Sequence, residues 1–247
     1  MNKKIKISQH SLPNTLTNVN EDAIGIDETT GSFILCDGMG GPGFGNNASQ
    51  MACDLFPQFS HSSSLETEST WPFPKKEGLS LEGNYLRMLL LRLNTKVFER
   101  AKHDDKQGWM GTNCIALLAL PEKVVLGSVG NCRAYMFQKD KLIQLTQDES
   151  LAQHKKWTPL KAQHNLSLNF LGKDAMIPVD KVVEKSSKSL DLFVFLSSGV
   201  INSLSETQLA ILTQENLNNF NNLAKIIVKT AHATHPQFDH SALILKF

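Results

Sequence analysis

The apolar positions change period several times along the chain, and each change predicts an element. Phe33-Ile34-Leu35-Cys36 is an unbroken apolar run that runs straight into Asp37 and then five glycines within eight residues. Such a run predicts a buried strand, and the Gly/Pro cluster after it forces a tight turn. Ile5 and Ile7 alternate with polar neighbours and predict a first strand, while Ala23, Ile24 and Ile26 predict a second. The turn Asp27-Glu28-Thr29-Thr30-Gly31 joins that second strand to the apolar run, so residues 22–36 predict a hairpin. Asn46-Asn47-Ala48-Ser49 opens a helix through Met51, Ala52, Leu55 and Phe56. Residues 57–80, rich in Ser, Thr and Pro, predict a surface loop. From Leu81 to about Lys102, Leu86, Leu89, Leu90, Leu93, Val97 and Phe98 fall at helical spacing and predict the longest helix.

The second half turns to strands at 114–120, 124–129, 134–137 and 141–145, separated by Pro121-Glu122 and Gln138-Lys139-Asp140. Consecutive short strands with tight turns predict an antiparallel meander. Residues 147–180 are less regular and predict a flap-like segment. Leu192 to Leu196 is another buried strand, ending in Ser197-Ser198-Gly199; helical spacing returns at 205–213 and 219–233, and a last strand covers Ala242 to Phe247. The pattern predicts a single α+β domain over 1–247, with helices inserted among antiparallel strands and no internal repeat.

Composition excludes several classes. With 41% hydrophobic and 20% charged residues and a formal net charge of +1, the 247-residue chain has no basic excess for nucleic acid. No apolar run reaches the roughly 18 residues of a membrane helix. The N-terminal lysines have no apolar region behind them, so no secretory signal is expected. Cys36, Cys53, Cys114 and Cys132 lack paired spacing, which predicts reduced thiols and no structural zinc. The expectation is a cytoplasmic protein without nucleic-acid or membrane partners.

Asp37 lies where a rigid strand ends and a glycine loop begins, a good place for a metal-holding carboxylate. Hairpin geometry brings Glu21 and Asp22 to the same end, and three converging carboxylates call for a cation. Gly38, Gly40 and Gly43 also satisfy the dinucleotide fingerprint GxGxxG. Against that, Asp37 would face the phosphates, and no second parallel strand ending in an acid follows about 20 residues later. His232 and His235 form an HxxH pair without a further ligand, read as a solvated pair near a helix end. HKKWTPLK at 154–161 reads as a solvated basic loop that could meet an acidic or phosphorylated partner.

Taken in order, Asn20-Glu21-Asp22, Asp37-Gly38-Met39-Gly40-Gly41, Gly111-Thr112-Asn113, Gly130-Asn131-Cys132-Arg133, Leu145-Thr146-Gln147-Asp148, Leu171-Gly172, Ser197-Ser198-Gly199 and Asp239-His240 resemble the motifs of the protein phosphatase 2C family. The bacterial members of that metal-dependent Ser/Thr phosphatase family are the nearest in pattern. The resemblance implies two packed antiparallel sheets flanked by helices, an αββα sandwich. It also implies Mg2+ or Mn2+ ions that share an aspartate and activate a water for in-line attack on phosphorus. Carried over by position, Asp37 is the bridging carboxylate, Glu21 and the Gly38 carbonyl serve one metal, Asp22 holds its waters, and Asp239 serves the other metal. Asp37 and Asp22 are thus the implied catalytic pair.

The sequence departs from the family pattern at four positions. Ser198 replaces a metal-binding Asp, Asn131 replaces an acid linked to a third metal, and Thr17 stands where bacterial members carry a phosphate-clamping Arg. His240 replaces the Asn of the final Asp-Asn, where it could offer a ligand or a proton. Fewer charged ligands hold a hard cation more weakly, so weak binding, down to a single ion, is the expectation. Two functions follow: a pseudophosphatase that binds a phosphoprotein or other protein partner, or an active Mg/Mn-dependent protein Ser/Thr phosphatase. The first is the main expectation from sequence, the second its alternative.

Overall fold

The apolar run around Phe33 forms the second strand of a five-stranded sheet, and nearly everything else is placed relative to it. A computed structural model describes residues 5–41, 43–62, 71–103, 110–150, 166–186 and 192–247. In chain order the described strands are β1 (Lys6–Leu12), β2 (Asp22–Asp27), β3 (Ser32–Met39), β4 (Gly111–Ala119), β5 (Lys123–Val129), β6 (Arg133–Gln138), β7 (Lys141–Gln144), β8 (Val182–Ser186), β9 (Leu192–Leu196) and β10 (His240–Lys246). The described helices are α1 (Gly45–Ser62), α2 (Leu81–His103), α3 (Ser198–Ser203), α4 (Glu206–Glu215) and α5 (Phe220–Thr234).

Two antiparallel sheets result, in the orders β1-β10-β9-β6-β7 and β2-β3-β4-β5-β8. Their facing sides share a core of Phe33, Leu35, Ile115, Leu117, Phe193, Phe195, Leu243 and Leu245. The other side of the β3 sheet is covered by α1 and α2 through Ala52, Phe56, Leu86, Leu89 and Leu93. The other side of the β10 sheet is covered by α3, α4 and α5 through Val200, Leu209, Leu223, Ile227 and Val228. This is the αββα sandwich expected, with alternation along each strand feeding two different cores.

Three elements differ from the sequence pattern. The four strands after Gly111 do not form one meander: β4 and β5 pair in one sheet, β6 and β7 in the other, and the chain crosses between sheets at Gly130-Asn131. Turn residues alone do not say whether the next strand pairs or crosses. Helix α1 runs on to Ser62, so residues 57–62 are helical rather than part of a loop. Pro57 lies inside it and cannot donate to the Cys53 carbonyl. That carbonyl packs instead against Gly25 of β2, where a Cβ would come within 2.7 Å of it. Strand β8 and helix α3 are additions: β8 is a half-buried edge strand, and α3 is only six residues long. The basic run 154–161 and residues 63–70 of the Ser/Pro-rich stretch lie outside the described residues.

Phe195 is fully buried between the sheets, beside Phe33 and Leu243 in the same core. Phe195→Ala should lower unfolding free energy by about 3–5 kcal/mol, and Phe195→Leu by clearly less. Urea denaturation checks this; equal losses for the two variants would mean the sheets are not packed through this ring.

Candidate metal centre

The hairpin register places Asp22 directly opposite Asp37, and the next strand places Asn113 opposite Asp37 on its other side. Along β3, Phe33 and Leu35 face the other sheet, so period-2 alternation turns Asp37 into the same inter-sheet space, at its open end. Glu21 immediately precedes β2, and its carbonyl accepts from the Gly38 amide at 3.0 Å. Asp239 immediately precedes β10 in the opposite sheet. The four acids therefore come from the ends of three strands, brought together by register rather than by sequence distance.

Backbone and side-chain N–H groups hold these carboxylates. Asp37 Oδ2 accepts from the Ser198 amide, the first residue of α3, at 2.8 Å. Asp239 Oδ1 accepts from the Asn14 amide at 2.6 Å and from Asn14 Nδ2 at 2.9 Å; its Oδ2 accepts from the Glu21 amide at 3.1 Å. Gly199 permits the approach of the two chain segments, since a Cβ there would meet the Asp239 carbonyl at 1.9 Å. Ser197 does not cap α3 with its side chain; its Oγ accepts from the Ser241 amide at 2.9 Å. Ser241 Oγ lies 2.6 Å from Ser11 Oγ, which accepts from Asn20 Nδ2 at 2.6 Å.

Two oxygens are left over: Glu21 Oε1 and Asp22 Oδ2 are buried without a hydrogen-bond partner. The electrostatics agree with this shortage of positive charge. Burial, then Asp239, then Asp37 push the Glu21 carboxyl up to about 7. Burial and then Asp37 push Asp22 well above the usual carboxylate range, moderated by the Ser241 and Ser197 hydroxyls. Burial also raises Asp37, offset in part by Ser198. Desolvated acids repelling one another in this way are what a divalent cation relieves.

Among the described residues, no three His, Cys, Asp or Glu side chains close on a single point to ligate an ion. The donor set nonetheless fits a hard, hydrated cation, which keeps several waters and takes only one or two direct carboxylates. Glu21 Oε1, Asp37, Asp22 Oδ2 and the Gly38 carbonyl are all oxygen donors at one sheet end. These residues could hold one such ion; Ser198 brings no carboxylate to the Asp239 side.

The remaining sequence candidates go elsewhere. Thr17 is exposed, and its amide and Oγ1 donate to Asn14 Oδ1 at 2.9 and 3.0 Å, so it serves the turn of its own loop. Asn131 is buried at the crossing between the sheets. His240 is fully buried on the face of β10 opposite the inter-sheet core, with Nε2 3.0 Å from Ser203 Oγ and Nδ1 3.4 Å from His232 Nδ1. Burial and then His232 lower its pKa to about 4. It therefore offers neither ligand nor proton to the carboxylates. His232 packs edge-on against His240, and the other member of the HxxH pair, His235, has its Nδ1 buried without a partner. Both are half-buried at the C-terminal end of α5. The GxGxxG reading fails as well, because β3 runs antiparallel to both neighbours and no parallel βαβ unit exists around it. Asn14, which sequence reasoning passed over, makes two hydrogen bonds to Asp239.

Comparison with known proteins agrees with this architecture. A model of the protein phosphatase 2C family matches residues 17–231, and the chain belongs to that family. A serine/threonine phosphatase, Stp, from Listeria monocytogenes is 29% identical over 201 residues, covering 77% of this chain and 75% of that one. The fold matches PppA, described as a key regulatory component of the T6SS in Pseudomonas aeruginosa, with a TM-score of 0.80 at 19% identity over 99% of both chains. It also matches the catalytic domain of the phosphatase PstP, solved with two manganese ions, with a TM-score of 0.77 at 16% identity over 98% and 97% of the two chains. Among the described residues no helix is long and apolar enough to cross a membrane.

The raised Glu21 carboxyl gives a signed prediction for the metal-free protein. Its folded pKa of about 7 exceeds the ordinary 4.5, so its contribution to stability is full below pH 4.5 and is lost as pH rises through 7. The melting temperature in chelator should therefore fall between these limits, and Glu21→Gln should flatten that fall. Added Mn2+ should raise the melting temperature more at pH 8 than at pH 5.5, because the cation competes with protons. A Mn2+ effect independent of pH would contradict this picture of the acids.

Proposed function

We propose that the protein is a Mg2+- or Mn2+-dependent protein phosphatase that hydrolyses phosphoserine and phosphothreonine, with a metal centre weakened on the Asp239 side. The observation that carries the reading is the pair of buried, unpartnered oxygens on Glu21 and Asp22, facing Asp37 in a family of phosphatases. The Listeria relatives named as serine/threonine phosphatases support it, as does PstP with its two manganese ions. A divalent cation bound here would supply Lewis-acid charge and a water of lowered pKa. The chain's own residues do the rest. Asp37 is fixed by the rigid strand and the Ser198 amide, Glu21 and the Gly38 carbonyl offer oxygens beside it, and Asp22 Oδ2, buried without a partner, would accept hydrogen bonds from the waters of a bound cation. The substrate is a phosphoprotein, and the reading places the enzyme in bacterial phospho-signalling in the cytoplasm.

The pseudophosphatase reading keeps two specific supports. Ser198 has no carboxylate to complete a second metal position, although its backbone N–H still bonds Asp37, and Thr17 delivers a hydroxyl to its own loop where a guanidinium would clamp phosphate. These changes weaken binding of metal and phosphate without removing the Glu21–Asp37 side. The named relatives favour catalysis over partner binding alone.

Hydrolysis of p-nitrophenyl phosphate and of a phosphothreonine peptide in excess Mn2+ decides between them. The parent should turn over, Asp37→Ala should lose at least about 100-fold in kcat/KM, and Ser198→Asp should lower the Mn2+ requirement about ten-fold. A parent inactive at millimolar Mn2+, with activity appearing in Ser198→Asp, would sink the enzyme reading and leave a binding domain.

A further inference from the structure

Asn14 lies in the loop between β1 and β2, three residues before Thr17 and outside every motif quoted above, yet it hydrogen-bonds Asp239 directly, which Thr17 does not. Its amide and its Nδ2 both donate to Asp239 Oδ1, at 2.6 and 2.9 Å, across 225 positions of sequence. Its own Oδ1 accepts from the Leu16 amide at 3.1 Å, the Thr17 amide at 2.9 Å and Thr17 Oγ1 at 3.0 Å. One carboxamide thus closes the loop between β1 and β2 and clasps the acid that precedes β10. Asp239 Oδ1 is saturated by two donors, while Oδ2 has one, the Glu21 amide. A carboxylate has about four lone-pair positions, so the one left open is on Oδ2. That oxygen lies on the Glu21 side, in keeping with Asp239 being the charge that Glu21 feels most.

We propose that Asn14 is a positioning residue for the metal centre: it turns Asp239 so that Oδ1 is tied to the loop and only Oδ2 is presented to a cation, in single-oxygen fashion. This rests on the metal-dependent reading above and goes beyond it by assigning who orients the sole carboxylate on the side that Ser198 leaves bare. Residues that hydrogen-bond a ligating group fix its orientation, and their loss typically weakens metal binding by about 10–100-fold. Here the effect is concentrated in one residue, because Ser198 offers no second carboxylate to share the load.

The test is Mn2+ binding by calorimetry, which needs no turnover, on the full chain and on Asn14→Ala, Asp239→Asn and the double variant. Asn14→Ala should weaken Mn2+ at least about ten-fold, and in the Asp239→Asn background it should change nothing further. Thr15→Ala is the control: Thr15 Oγ1 donates to the Pro236 carbonyl at 3.1 Å and ties the same two loops without touching Asp239. It should bind Mn2+ like the parent, which separates clasping the acid from merely holding the loop. Urea unfolding of Asn14→Ala confirms that the variant is folded; should it not fold, Asn14→Ser, which keeps a short hydrogen-bonding side chain, takes its place with the same expected weakening. If Asn14→Ala binds within two-fold of the parent, if its effect multiplies with that of Asp239→Asn, or if Thr15→Ala is weakened equally, the inference is overturned alone. A parent that binds no Mn2+ overturns the metal-dependent reading and this inference together.

Discussion

Three acids, Glu21, Asp22 and Asp37, are held at one end of a hydrophobic sandwich with too few donors to satisfy them, and much of the local architecture answers that constraint. Burying a carboxylate is costly unless it is paired or hydrogen-bonded, and here burial is the largest influence raising all three pKa values. The fold tolerates them because the inter-sheet core below is dense: Phe33, Leu35, Phe193, Phe195 and Leu243 supply burial that a few strained groups at the rim do not undo. Backbone amides from the second sheet and the β1–β2 loop then meet what they can. Ser198 donates to Asp37; Asn14 and Glu21 donate to Asp239. Those bonds are also what ties the two sheets together at this end, so the site and the seam are one structure.

How much of this was legible in the sequence follows from the range of each interaction. The hairpin was legible because strand alternation and a five-residue turn fix register, and register alone puts Asp22 opposite Asp37. The two layers of helices followed from the 3.6 period of α2 and α5. Misplacement of His240 beside the acids came from reading adjacency to Asp239 as proximity; alternation along β10 sends neighbours to opposite faces, and His240 goes to the helical side with Ala242 and Ile244. The meander failed at Gly130, where a turn that crosses between sheets looks locally like one that reverses within a sheet. Helix α3 was invisible because six residues carry little periodicity. Asn14 was invisible for another reason: a single Asn in a polar loop has the same appearance whether it bonds its neighbours or an acid 225 positions away.

The altered family positions differ in what they cost, and the difference lies in which atoms the fold uses. At Ser198 the backbone N–H bonds Asp37 and any side chain would leave it in place, while the Ser198 hydroxyl adds to the stabilisation of that carboxylate. The aspartate that the family carries there contributes metal charge but not the bond that joins α3 to Asp37. On the metal-dependent reading, its absence would lower cation affinity while leaving the backbone bond in place. Thr17 is similar: its amide and hydroxyl complete the turn around Asn14, a task that does not require the guanidinium of other bacterial members.

That separation means the local geometry does not depend on the side chains at Ser198 and Thr17 that differ from the family pattern. The acids on the Glu21 side are positioned by the β2–β3 register, which the hydrophobic cores enforce. The Asp239 side is positioned by loop contacts and a short helix, and each of its members can change singly. On the metal-dependent reading, cation affinity on that side would depend on how well Asp239 is aimed, because His232 and His240 bond one another on the helical side of β10. A centre built in this way is asymmetric by construction: one half set by the sheet, the other by a clasp.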